Sequence, residues 1–363
     1  MIRIIIRRTA SATLLGMGLL LASGAMAATI YTETNSAQGN EVQIYETGAD
    51  GVLALAGQVS TGGLGTGAGL GNQGALALTT DHRWLFAVNA GSNEISSFAV
   101  GPTGLVLVAR VASGGTSPVS VTTHEDVLYV LNAGGTGDIT GFTIRADGHL
   151  VPIAHSARPL SSATAGAAQI AFDREGERLV VTEKATNKIS VYAVDDGRAH
   201  GPIVHSSNGV TPFGFAFDRR NDLLVSEAFG GNPNAAALSS YDLEDDSGAL
   251  SVISGSVPAN QTAACWVVLT GDYAYVTNTG SGTITGYRVS RAGELTRLSA
   301  DGRTGVTGGG PTDSAASRDG KTLYVLSPSI GKIVTFHVNV DGTVILLGST
   351  SGAAATATGL IAR

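Results

Sequence analysis

Two acids, Glu183 and Glu227, end short apolar runs, one from Leu179 and one from Leu223. At the same place in five similar runs stand Asn35, Asn89, Asn132, Asn278 and Ser327. Two carboxylates brought to one place raise each other's pKa, which suits acid/base chemistry, or share a cation. Glu227 and Glu183 are therefore the candidate catalytic residues. An Asn at such an end also bonds nearby backbone and accepts a left-handed turn, a structural role that needs no ligand. For the acids the structural alternative is local neutralisation, as of Glu183 by Lys184 or Lys188. The candidate ligand-binding residues are Asn35, Asn89, Asn132 and Asn278, joined by Phe213, Arg158, Lys184 and Trp266. Arg158 and Lys184 are the nearest sources of positive charge.

Other chemistry is weakly supported. Cys265, beside Trp266, is the only cysteine, so no internal disulfide forms. A nucleophilic thiol needs a neighbouring base or cation, and a buried packing role fits better. The glycine-rich run ending at Gly69 lacks the Lys-Ser/Thr ending and the helix of a phosphate-binding loop, and reads as a flexible connection. The seven histidines show no metal-ligand spacing, so no metal or cofactor is expected.

The elements that must position these residues repeat. The seven run ends are 43 to 54 residues apart. Each run is followed by a second strand-like segment ending in an aromatic: Tyr45, Phe98, Phe142, Tyr192, Tyr241, Tyr287 and Phe336. A tight turn with glycine comes next, three times as Asp-Gly: Asp50-Gly51, Asp147-Gly148 and Asp341-Gly342. A third strand, a Gly/Ser/Thr-rich loop and a fourth apolar strand complete the unit. Seven such units describe an all-β, seven-bladed β-propeller with four antiparallel strands per blade. The fourth strand is the innermost of the next blade, so residues 355–361 should pair beside residues 29–35 and close the ring. The longer loops share one face, which is where a ligand mouth is expected.

Composition sets outer limits. The chain has 363 residues, 43% hydrophobic and 14% charged, with 50 glycines, which favours many turns over long helices. Arg3, Arg7 and Arg8, an apolar stretch from Ala12 to Ala22 and Ala25-Met26-Ala27 form a secretory signal over residues 1–27. An ordinary Sec signal is a simpler reading than a twin-arginine one. Residues 28–363 are then one domain, periplasmic or secreted, with no transmembrane segment and read as a monomer. They hold 19 Lys+Arg, from 22 less three, against 29 Asp+Glu, a charge of −10 that excludes nucleic-acid binding.

Tyr275-Val276-Thr277-Asn278 is the tetrapeptide of the YVTN repeat, and the layout resembles the seven-bladed lactonase family of 6-phosphogluconolactonases and carboxymuconate cyclases. The resemblance implies a Gly-Pro-Arg-His motif entering the inner strand of blade 5, then an acid at the end of the next strand. Pro212 and Glu227 match. Phe213 stands at the arginine position and Gly214 at the histidine position. A second family histidine falls near Ala168-Gln169. Two readings follow. One is an exported propeller that binds a small molecule or an envelope partner, with an incomplete lactonase set. The other is a hydrolase or cycloisomerase of lactones that uses Glu227. The first is preferred, because the basic residues are missing.

Overall fold

A computed structural model describes residues 28–48, 52–244 and 247–363. The signal segment, residues 1–27, lies outside the described residues.

Seven antiparallel sheets follow one another around the chain. In blade 4, Ala167–Phe172, Arg178–Glu183, Lys188–Asp195 and Arg198–Ser206 run from the innermost strand to the outermost. Blade 5 repeats this with Pro212–Phe217, Leu223–Glu227, Ala237–Leu243 and Leu250–Pro258. The second strands are buried on both faces and therefore read as nearly continuous apolar runs. The outermost strands are made mostly of exposed and half-buried residues, as in Val344–Ser351.

The C-terminal strand Thr358–Ala362 is the inner strand of blade 1, beside Thr29–Glu33. Tyr31 faces Ile361, and Glu33 faces Thr358. The Arg363 amide donates to Thr29 at 2.8 Å, and the Thr29 amide donates back at 3.2 Å. This closure leaves no innermost strand without its neighbour.

All seven strand-ending aromatics are no more than 2% exposed and pack between blades. Each contributes on the order of 1.5–3 kcal/mol by burial, so without a disulfide the ring is held by its aromatic wedges. Blades 3 and 6 depart from a plain four-strand layout. Their outer strands are split, into Leu150–Pro152 and Arg158–Pro159 and into Leu295–Arg297 and Gly305–Val306. Arg158 therefore belongs to an outermost strand and not to a loop at the mouth. Its Nη1 donates to the carbonyls of His155 and Ala157 at 2.9 and 2.7 Å.

Candidate functional site

Five of the seven strand-end side chains, Asn89, Asn132, Glu183, Glu227 and Asn278, act as buried brackets, whereas the Ser327 hydroxyl is buried with no partner among the described residues. In blade 2, Asn89 donates to Ser96 on the third strand at 2.8 Å. It accepts from Thr61 of the incoming loop at 2.6 Å and from Asn40 at 3.1 Å. Asn278 donates to Thr283 and Thr285, and Asn132 to Asp138 and Thr140. Each side chain ties its own third strand, and in blade 2 the incoming loop as well.

Glu183 and Glu227 make the same bracket with a charge in it. Glu183 accepts from the Ser161 amide at 3.0 Å, the Ser190 hydroxyl at 2.7 Å and Thr186 at 2.9 Å, and also from the Ser161 hydroxyl. Glu227 accepts from the Gly209 amide at 2.8 Å and from Ser239 and Ser256, both at 2.6 Å. The two acids share no donor, and both are fully buried. Hydroxyls and amides satisfy Glu183 in place of Lys184 or Lys188. The Lys188 ammonium bonds Ser206, and that of Lys184 bonds the Gly71 carbonyl. Burial raises the Glu227 pKa, and its three donors work against that rise.

Blade 1 carries a one-residue correction. Glu33 pairs with Val42, so Thr34, opposite Glu41, takes the place that Asn89 holds opposite Glu94. Asn35 lies one residue beyond the strand register, at φ +49°. Its side chain grips the glycine-rich loop instead: it donates to Thr66 at 3.0 Å and to the Ala68 carbonyl at 2.5 Å, and accepts from the Thr66 amide at 2.9 Å.

That loop continues into the central channel. Residues 71–73 lie against five other blades. Asn72 donates to the Val119 carbonyl of blade 3 and accepts from Thr358 of blade 1 at 3.0 Å. Its carbonyl accepts from Trp266 Nε1 of blade 6 at 2.6 Å. The Gln73 amide donates to Ala168 of blade 4 at 3.0 Å. Its side chain crosses to blade 6, where Nε2 donates to Val267 at 2.9 Å and Oε1 accepts from the Val267 amide at 3.1 Å. A Cβ on Gly214 of blade 5 would run into Gln73 Oε1 and, at 2.5 Å, into the Cys265 carbonyl.

Lys184, Phe213, Trp266 and Cys265 come together around this loop. Phe213 and Trp266 pack with ring centroids 5.0 Å apart, and the Lys184 ammonium sits 4.9 Å from the Phe213 centroid. Burial lowers the Lys184 pKa and pushes the Cys265 thiol up to about 12, so the thiolate needed for nucleophilic attack is scarce at neutral pH. The cation is already committed to Gly71 and an aromatic face. Among the described residues no group of three His, Cys, Asp or Glu side chains is placed to hold a metal ion.

Two acids escaped the sequence reading. Glu33 is wholly buried, and its Oε1 has no hydrogen-bond partner. Its Oε2 accepts from Asn40 at 3.4 Å. Asp313, on the inner strand of blade 7, accepts from the Ser314 amide at 2.7 Å. Burial raises both pKa values well above the usual carboxylate range. Glu33 was legible in the correct register. In that column the other blades carry Val88, Leu131, Thr182, Ser226, Thr277 and Leu326, none of them an acid.

A family profile described as "Lactonase, 7-bladed beta-propeller" matches residues 57–158 and 151–269. The chain belongs to this family. A putative 6-phosphogluconolactonase from Bacteroides fragilis has a TM-score of 0.73 and 17% identity over 94% of this chain and 99% of its own. The periplasmic gluconolactonase of Pseudomonas aeruginosa has a TM-score of 0.70 and 18% identity over 92% and 98%. A protein from Lactobacillus plantarum reaches 0.75 at 17% identity over 93% and 99%. At such identities these likenesses speak for the fold. No curated protein matches the chain.

Proposed function

We propose that this chain is an exported, non-catalytic member of its family that binds a small molecule or an envelope partner. One observation carries the reading: Gln73 fills the space at Gly214, where the family places a histidine. A lactonase needs a group that activates water and a cation facing the developing oxyanion. Here Phe213 and Gly214 stand at the positions of the basic pair, and Glu227 is enclosed by its own serines. The signal at residues 1–27 supports export, as does the likeness to a periplasmic gluconolactonase. The retained Pro212 and Glu227, the latter with a raised pKa, favour lactone hydrolysis as the second reading.

The test is an assay of protein starting at Ala28 against gluconolactone, 6-phosphogluconolactone and muconolactone. The expected rate equals spontaneous ring opening. Saturable turnover that Glu227→Gln abolishes, in protein that melts as the wild type does, would instead establish the hydrolase.

A further inference from the structure

The face opposite the expected mouth carries the short hairpins, and a cavity of about 830 Å³ opens there across blades 4, 5 and 6. Five arginines line it: Arg174, Arg219, Arg220, Arg288 and Arg291. That is five of the 19 basic residues beyond the signal, in a domain whose net charge is negative. Only two acids, Asp218 and Asp272, share the lining.

The charges are not mutually cancelled. Arg220 is pinned between Asp218, at 3.2 Å, and Asp222. Arg219 stands 3.6 Å from Asp272, and both are largely exposed. No carboxylate of the described residues is within ion-pair distance of Arg174, Arg288 or Arg291. The inner wall is apolar, with Leu269 and Phe217, whose ring is held edge-on by Phe215 at 5.8 Å and 88°.

We infer that this cleft binds a small organic polyanion carrying phosphate or carboxylate groups. Guanidinium forks recognise such groups in two-point fashion, and the apolar wall receives the carbon skeleton. The volume suits a molecule the size of a sugar phosphate or a tricarboxylate. This site is separate from the channel mouth and stands whether or not the mouth is catalytic.

Isothermal titration of the Ala28–Arg363 protein with citrate, glucose 6-phosphate and inorganic phosphate, at low ionic strength, tests the assignment. At least one organic anion should bind with one-to-one saturation, more tightly than inorganic phosphate. Arg288→Ala/Arg291→Ala should weaken it tenfold or more, with Arg174→Ala a second probe of the same site. Arg83→Ala/Arg145→Ala removes equal charge from another groove on this face and should leave affinity within twofold. Absence of saturable binding would overturn the inference, as would equal losses in the two double variants. Binding to phosphatidylglycerol vesicles without binding of any soluble anion would also overturn it.

Discussion

Gln73 and Val267 face each other across the propeller channel and exchange two hydrogen bonds, at 2.9 and 3.1 Å. The same amide lies where a side chain on Gly214 would have to be. A histidine at 214 and a glutamine at 73 therefore exclude each other. Gly214→His alone should destabilise the domain by about 1–3 kcal/mol through overpacking. Adding Gln73→Gly should return part of that loss, read as a coupling of roughly 0.5–3 kcal/mol in a denaturation double-mutant cycle. Additive effects would show that the two positions do not compete for space.

Glu227→Gln tests the bracket reading of the strand ends. The carboxylate accepts three hydrogen bonds, and an amide replaces one acceptor with a donor. A loss of about 1–3 kcal/mol in urea denaturation is expected. Glu183→Gln should behave alike, since that acid also sits among hydroxyl and amide donors. Unchanged stability at both sites would separate the acids from the fold.

The buried acids give stability a definite pH slope. Glu33 and Asp313 have folded-state pKa values above their unfolded ones. The unfolded chain therefore loses these protons first as pH rises. Stability from both groups is complete below their ordinary values and falls as pH climbs toward the raised ones. Glu33→Gln should melt higher than the wild type at pH 8, and the gap should shrink toward pH 4.5. A constant gap across that range would contradict the assignment.

Ring closure rests on the last strand. Deleting residues 354–363 removes Thr358–Ala362 and exposes an edge on blade 1. The truncated protein should melt far lower or aggregate. An unchanged melting temperature would refute the closing role. N-terminal sequencing of exported protein should begin at Ala28, and an intact Met1 would refute cleavage.

The repeat was legible because its signals are local: buried apolar runs, seven aromatics and glycine turns recur in order. The one-residue slip at Asn35 arose because residue identity suggested one alignment while the pairing of Glu33 with Val42 sets another. Arg158 was misplaced because a split outer strand looks like a loop in sequence. Phe213, Trp266 and Lys184, named from the sequence as separate candidates, pack against one another. What fills the mouth was not legible. Gln73 and Val267 are 194 residues apart, and nothing in a glycine-rich loop announces which strand it will cross to meet.

Hydrogen exchange at the Val267 amide tests the closed mouth most directly. This amide sits on an innermost strand, and its acceptor is the Gln73 side chain. In the wild type it should exchange slowly, as amides between paired strands do. In Gln73→Ala it should exchange much faster, while the Val276 amide on the next strand keeps its protection. Fast exchange of Val267 in the wild type, or slow exchange that survives Gln73→Ala, would contradict a channel stoppered by this loop.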